Sequence, residues 1–368
     1  MVTKKSSAQS VELLSEQGAA ASPPPQPVEG SDEVSIDMRR TKIVPKWIEE
    51  VVAASYAMDH EDARSAGALG FMHRALVNTA MPYKDPKSRV FERRNGNFSL
   101  TILAGYAGGI PYGIYPRLLM SWVSTEVVRT KSPEIELGES LAGFLRDVLN
   151  VSSTGGKHGT ATRFSEQMKR LFGAQIVAVD TGQPGRQPFR LRNLSVVNEL
   201  DLDEADFERR LASPSDGAEE NPLAQPSGRG LWTPQRAHES GWKSRVQLTD
   251  YFFEEILRGP VPIDLRAYRA LRGSPLAMDV YAWLTYRMSY LQKPSRTIKW
   301  VVLMAQFGSS YSGERAVLDF KRNFLQALNA VLLAYPKAKV KVLDDGIVLL
   351  PSAPHVPKLT KQGLLPGF

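Results

Sequence analysis

Three lysines near the C-terminal end of the sequence are separated from one another by single apolar residues. They are Lys337, Lys339 and Lys341. Successive side chains of a β-strand point to opposite faces, so the three ammonium groups would leave one side while the apolar residues enter the core. A row of cations on one strand face can neutralise a row of phosphates. We therefore predict that these lysines contact the backbone of double-stranded DNA.

A second group of cations precedes the lysines. Arg315 and Arg322 are seven residues apart, which places them on one face of a helix, and Lys321 borders that face. Either group alone would be an ordinary solvated surface. Because both groups occur in one short stretch, we favour contact of Arg315, Lys321 and Arg322 with DNA.

An earlier stretch has a similar but weaker layout. Its predicted DNA-contacting residues lie in a turn, on the helix that follows and beside a hairpin, and are Lys157, His158, Arg163, Gln167, Lys169, Arg170, Arg186 and Arg190. Gln167 could read the edge of a base or simply face solvent. His158 fits a turn residue or a phosphate neighbour better than a catalyst.

Positive charge is concentrated in residues 264–350, which contain both groups of cations described first. The chain of 368 residues has 46 Lys and Arg against 39 Asp and Glu, a net charge of +7. Residues 264–350 contain thirteen Lys and Arg against six Asp and Glu, an excess equal to that of the whole chain. This distribution indicates a polyanionic partner.

The sequence offers no catalytic or cofactor-binding motif. It has no cysteine, which excludes thiolate nucleophiles and Cys-ligated zinc. Gly155-Gly156-Lys157 lacks the preceding glycine of a phosphate-binding P-loop, and no two of the five histidines form a His-x-His pair. We therefore expect no catalytic residue, no metal, no cofactor and no enzymatic activity.

The helices and strands that position these residues follow one order twice. A helix, a short strand, a short helix, a longer helix and a hairpin are predicted over 116–197 and again over 275–350. Trp122 and Trp283 lie 161 residues apart in the two copies. This order is typical of a winged helix, whose third helix enters the major groove while the hairpin follows the backbone. The predicted fold class is α+β, mostly helical, with two tandem winged-helix domains, hairpin wings and a disordered N-terminal tail.

Composition divides the chain further. Residues 1–40 are rich in Ser, Ala and Pro and are predicted to form a disordered tail. An N-terminal winged-helix domain with leading helices is expected over 41–198, and an acidic flexible linker or insertion over 199–228. A C-terminal winged-helix DNA-binding domain is expected over 229–352, followed by a flexible tail at 353–368.

Several uncommon strings in one order resemble a known family. They are IPYGIYPRLL at 110–119, TKSPEIELG at 130–138, STGG at 153–156, QMKRLF at 167–172 and SPLAMDVYAWL at 274–284. Over about 98–350 the sequence resembles the plasmid-encoded RepA replication initiators. The resemblance implies binding to repeated duplex sites at a plasmid origin, opening of adjacent A·T-rich DNA, recruitment of host replication proteins such as the helicase, and possible repression of its own gene as a homodimer.

Two other functions remain open at this point. One is a dimeric transcriptional repressor of winged-helix type without an initiator role, and the other is a nicking enzyme or helicase-like ATPase. Two unequal DNA-reading units in one chain favour the initiator, because a repressor more often uses two identical chains. No apolar run reaches the ~20 residues of a membrane helix, so we expect a cytoplasmic protein with no membrane partner.

Overall fold

The computed structural model describes residues 45–137, 145–146, 154, 159–182, 189–202, 244–308, 311 and 313–357. The predicted tail at 1–40, most of the predicted linker at 199–228 and the predicted helix at 140–149, except for residues 145 and 146, lie outside these ranges. No helix within the described ranges is both long enough and apolar enough to cross a membrane.

The described helices are named in chain order. They are α1 Lys46–His60, α2 Arg74–Asn78, α3 Ile114–Thr130, α4 Thr160–Phe172, α5 Asp250–Arg258, α6 Leu265–Ala270, α7 Pro275–Met288, α8 Trp300–Phe307 and α9 Ala316–Ala334. The strands are β1 Leu69–Met72, β2 Val90–Asn95, β3 Phe98–Ala104, β4 Glu134–Glu136, β5 Ala174–Asp180, β6 Arg190–Ser195, β7 Val197–Asp201, β8 Arg245–Leu248, β9 Val261–Asp264, β10 Ile298–Lys299, β11 Lys339–Val342 and β12 Gly346–Leu350. The fold is therefore a mixture of helix and sheet.

The C-terminal part has the element order that the sequence predicts. The Ser274 hydroxyl accepts a hydrogen bond from the Ala277 N–H at 3.2 Å and caps α7, with Pro275 at the first helical position. Helix α9 buries Phe320 and Phe324. Strands β11 and β12 form an antiparallel hairpin, and β10 pairs with β12, so the sheet order is β10-β12-β11. Helices α7, α8 and α9 thus lie beside a small sheet made from their own connections.

The N-terminal part has a larger sheet than predicted. Strands β5 and β6 form the predicted hairpin, but β5 also pairs with β3, which pairs with β2. The hairpin is therefore one half of a four-stranded antiparallel sheet, in the order β2-β3-β5-β6, and not a separate ribbon. The predicted hairpin is thus present, and β3 extends it into a larger sheet because it supplies a second partner for β5.

Two further sheets join residues on either side of the predicted linker. Strand β8 lies between β4 and β7, and β9 pairs with β1. Helix α1 packs against α6 and α9. These contacts cross the boundary between the predicted domains at 41–198 and 229–352, and 43–368 groups as one compact unit. Pairing between strands so distant in sequence leaves no local signal that composition could reveal.

A buried ion pair links the first helices of the two predicted copies. The Arg117 Nε and Nη2 atoms donate to the two carboxylate oxygens of Asp279 at 2.8 and 2.7 Å. The remaining N–H groups of Arg117 donate to the carbonyl oxygens of Met81, Pro82 and Gly113. Because Arg117 is 0% exposed and every guanidinium nitrogen has an acceptor, the pair fixes α3 against α7.

The start of the predicted C-terminal tail packs against the core. The His355 ring stacks on Tyr335 at 4.6 Å between centroids, and its Nδ1 lies 2.7 Å from the Tyr281 hydroxyl. Val356 is buried. Within the predicted tail at 353–368, His355 therefore packs between Tyr335 and Tyr281. Residues 358–368 lie outside the described ranges.

Candidate nucleic-acid interface

The three lysines of the C-terminal hairpin occupy the face that their alternation predicts. Lys339 and Lys341 are exposed on β11, while Val340 and Val342 between and after them are half-buried. Lys337 is also exposed just before the strand. In the hairpin register Lys339 lies opposite Leu350 and Lys341 opposite Val348. The lysines therefore follow one edge of the three-stranded sheet with their ammonium groups in solvent.

The outer face of α9 presents both predicted arginines. Arg315 caps the N-terminal end of the helix and is exposed. The Arg322 side chain is 74% exposed, and its Nη2 lies 3.0 Å from Asp319 Oδ1 one turn earlier. An exposed pair of this kind contributes little to stability, so it leaves Arg322 free to exchange a carboxylate for a phosphate or a base.

Lys321 has a different position from the arginines. Its Nζ lies 5.3 Å above the centre of the Trp300 ring and donates to the Asp344 carbonyl oxygen at 3.3 Å. Trp300 donates from its indole Nε1 to the same carbonyl at 2.9 Å and from its backbone N–H to the Asp345 carbonyl at 3.0 Å. The hairpin turn is thus tied to the first residue of α8 and to the middle of α9. Lys321 positions the hairpin as well as adding charge.

Three further cations lie close by in sequence. They contribute to the charge excess of residues 264–350 but are not among the predicted DNA contacts. Lys293, Arg296 and Lys299 are all exposed in the segment between α7 and α8. Their spacing of three residues, in a stretch with Pro294 and no helical pattern, is the signal that could have identified them. Asp344 and Asp345 are exposed at the hairpin turn, and Glu314 is exposed beside Arg315. The cationic surface, as we name it, comprises Lys293, Arg296, Lys299, Arg315, Arg322, Lys337, Lys339 and Lys341.

In the N-terminal part, α4 turns its predicted DNA-reading residues inward. Gln167 is 5% exposed, and its Oε1 accepts a hydrogen bond from the Tyr112 backbone N–H at 2.8 Å. The alternative that Gln167 faces solvent is therefore wrong, because its amide is buried on a backbone partner. Contact of Gln167 with DNA stays a prediction.

Arg170 is also held inside the N-terminal part. Its Nε lies 2.9 Å from Glu166 Oε1, its Nη1 lies 3.6 Å from Asp85 Oδ2, and its guanidinium covers the Tyr112 ring at 5.2 Å. The side chain is only 12% exposed. These contacts attach the loop that precedes α3 to helix α4. Arg170 therefore has a structural role in this part, and its contact with DNA stays a prediction.

The remaining predicted residues of this part are scattered. Arg163 is exposed on the first turns of α4, Arg190 is exposed at the start of β6, and Lys169 is half-buried. Arg192, on the same strand as Arg190, pairs with Glu255 at 3.0 Å. Lys157, His158 and Arg186 lie outside the described residues. The predicted cations of this part that the structure describes therefore form no row comparable to the lysines of β11.

Within the described ranges, His, Asp and Glu form no group of three or more that could hold a metal ion. Two histidines are shielded by aromatic neighbours. Burial lowers the pKa of His73 to about 4, with the charges of Arg74 and Arg192 adding to the effect, and burial also lowers the pKa of His355 to about 4. Both imidazoles are neutral at physiological pH, as suits packing residues.

Comparison with known proteins gives one family and one structural likeness. A family model described as plasmid encoded RepA protein matches residues 110–212 and 216–302. A crystal structure of RctB domains 2 and 3, RctB-155-483, is 11% identical with a TM-score of 0.42, covering 75% of this chain and 96% of that one. A second crystal structure of RctB domains 2 and 3 is 12% identical with a TM-score of 0.42, covering 76% and 98%. No curated protein matches the sequence.

Proposed function

The chain belongs to the plasmid encoded RepA protein family, and from this premise we propose that it is a plasmid replication initiator that binds repeated duplex sites at an origin. The observation that carries the proposal is the cationic surface, in which the arginines of α9 and the lysines of β11 are exposed on one helix–helix–hairpin unit. Neutralising several phosphates would supply most of the non-specific affinity.

We interpret the C-terminal unit as a winged helix. Two observations support this interpretation. They are the element order α7, β10, α8, α9, β11, β12 and the pairing of β10 with β12. In such a unit α9 enters the major groove, and the hairpin lies along the adjoining backbone. The bonds from Trp300 to the hairpin turn would then hold the lysines in a fixed position relative to the groove-reading helix.

The two copies contribute unequally in this proposal. Gln167 and Arg170 serve the interior of the N-terminal part, which leaves Arg163 and Arg190 as its exposed predicted contacts. The C-terminal unit would therefore supply most of the affinity. The N-terminal part would act mainly by fixing the orientation of that unit through α1 and the Arg117–Asp279 pair.

The experiment is a footprint on the DNA flanking the gene for this protein. Regularly spaced protection over tandem repeats is expected for the initiator. A single inverted repeat at the promoter would support the dimeric repressor instead. Failure to bind double-stranded DNA at low ionic strength would rule out both. Origin opening, recruitment of host replication proteins such as the helicase, a homodimeric state and a cytoplasmic location are parts of the proposal that the footprint does not address.

The salt dependence of binding tests the role of the lysines. Replacing both Lys339→Glu and Lys341→Glu should weaken binding at all sequences and reduce the slope of log K against log salt by about 2, since each phosphate contact contributes about 1. Lys84→Glu with Lys131→Glu is the matched control, because both lysines are exposed in the N-terminal part. An unchanged slope in the first variant would remove the hairpin from the interface.

We also propose that the chain performs no covalent chemistry, on the support of the missing P-loop and His-x-His motifs. Incubation with supercoiled origin DNA, Mg²⁺ and ATP should yield neither nicked product nor phosphate release. Nicking would require a tyrosine or a metal site outside the P-loop and His-x-His motifs. Nicked product would therefore overturn this part of the proposal.

A further inference from the structure

A single stripe of side chains faces solvent along α9. Leu318 is 67% exposed, the Arg322 side chain is 74% exposed, and Gln326 is exposed. The three residues are four apart, so they lie almost directly above one another on the helix. Phe320 and Phe324 on the opposite face are fully buried. The stripe is therefore the side of α9 that a groove would meet.

Leu318 is the unusual member of the stripe. A lone exposed leucine is ordinary on a protein surface. This one, however, stands between Arg315 and Arg322, one turn from each, on the face that carries the arginines of the cationic surface. Phosphates would not favour an apolar side chain there. The thymine C5-methyl group is the apolar feature of the major groove, and apolar side chains contact it.

The other two members have the chemistry of base readers. A guanidinium can donate to guanine O6 and N7 together, and a glutamine amide can pair with adenine N6 and N7. The Arg322 Nη2 donates to Asp319 Oδ1 on the same helix at 3.0 Å, which restricts the orientation of a guanidinium whose side chain is 74% exposed. An oriented arginine loses less freedom when it binds a base.

Resting on the proposed DNA-binding function, we infer that Leu318 reads the methyl group of a thymine and Arg322 reads a guanine about two base pairs away. The separation follows from geometry. Four residues of α-helix span about 6 Å, and successive base pairs are about 3.4 Å apart. Gln326 would lie about two base pairs further along, where the groove curves away from a straight helix. Leu318 and Arg322 are thus the specificity-determining residues.

The experiment uses the full chain and a duplex obtained by selection from a randomised library. Each thymine of the selected duplex is replaced in turn by deoxyuridine, which removes only the methyl group. One position should weaken binding of the unmodified protein about fourfold, the effect of burying one methyl group. Leu318→Ala should bind thymine and deoxyuridine equally at that position, and Arg322→Ala should relax the requirement for guanine nearby. Val301→Ala is the control, because Val301 is 53% exposed on α8 and lies off the stripe.

The outcomes separate this inference from the function on which it rests. Selective binding with no sensitivity to any thymine methyl, or the same sensitivity in Leu318→Ala, would overturn the reading of thymine and leave DNA binding intact. Binding without sequence preference would do the same. Failure of the full chain to retain any duplex at low salt would overturn the DNA-binding function as well. A methyl effect that Leu318→Ala removes and Val301→Ala keeps supports the inference.

Discussion

Arg117 and Asp279 show how single residues hold this protein together. Two charges removed from water interact favourably only where geometry is good and all donors are satisfied. Both conditions hold, since Arg117 donates to Asp279 through two nitrogens and to three backbone carbonyls. The pair therefore determines which surfaces of α3 and α7 meet, and its loss would leave a buried charge without a partner.

The first prediction concerns this pair. Asp279→Asn keeps the shape of the side chain but leaves the Arg117 charge uncompensated, and should lower the free energy of unfolding by about 3 kcal/mol or more. Urea denaturation measures the change. Arg117→Met combined with Asp279→Leu should be less destabilising than the sum of the two single changes. Additive effects would show that the two side chains do not interact.

The second prediction concerns pH. Burial lowers the folded-state pKa of His73 to about 4, below the unfolded value of 6.5. The unfolded chain therefore binds the extra proton first, so the stability that neutral His73 contributes is complete above pH 6.5 and is lost as pH falls towards 4. The full loss is about 3 kcal/mol for one histidine.

His73→Asn isolates this effect, because asparagine can still cap α2 as the His73 Nδ1 does with the Ala75 N–H. The difference in unfolding free energy between the native chain and this variant should shrink steadily from pH 7 to pH 4. If the difference does not change with pH, the pKa of His73 is the same in the folded and unfolded chains, which would contradict its lowering by burial. His355, whose pKa is also lowered to about 4, adds a pH dependence of the same sign.

At the scale of elements, contacts from helices α8 and α9 position the hairpin formed by β11 and β12. Trp300 of α8 donates two hydrogen bonds to the turn between β11 and β12, and Lys321 of α9 donates a third. These bonds lie at the end of the hairpin farthest from Lys339. A hairpin of two short strands would otherwise be marginal on its own.

The third prediction tests this tie. Lys321→Met keeps a long side chain over the Trp300 ring but removes the bond to Asp344, and Trp300→Phe removes the indole bond to the same carbonyl. Each change should lower stability by about 1 kcal/mol. Amide hydrogen exchange at residues 342–347 should become faster while exchange in the middle of α9 stays unchanged. Equal acceleration in both elements would indicate global destabilisation and contradict a local tie.

Elements whose signals are local could be predicted from the sequence. The element order predicted over 275–350 is confirmed, and Ser274 with Pro275 begins α7. The face of α4 could not be predicted, because Gln167 and Arg170 lie at the border of its apolar stripe. A polar residue there is satisfied either by solvent or by a buried partner, and only the tertiary structure supplies the Tyr112 N–H and the Asp85 carboxylate. On β11 the strict alternation leaves one choice, so the lysine face was predicted correctly.

Over the whole molecule, the described elements form one unit because long-range contacts cross the predicted boundary. Strand β8 completes a sheet with β4 and β7, and Gln306 at the end of α8 donates to the Asn78 carbonyl at 3.0 Å. Trp47 of α1 packs against Gly273, where any side chain would collide with the indole. An element order repeated twice therefore predicts two similar units but not their independence, which depends on the surfaces between them.

The last prediction follows from the contacts that join the N-terminal and C-terminal parts. Residues 265–368 expressed alone lack α1, α3 and β1, so the apolar surfaces that these elements cover would meet water, and Asp279 would lose Arg117. The fragment should unfold at a lower urea concentration than the full chain, whose described elements should unfold in one transition.

Asp279→Asn should destabilise the full chain by about 3 kcal/mol but leave the fragment almost unchanged, since no buried arginine remains unpaired there. Equal effects of this substitution in both chains, or equal stability of fragment and full chain, would mean that the C-terminal unit is an independent domain. The orientation of the cationic surface would then not depend on the N-terminal part.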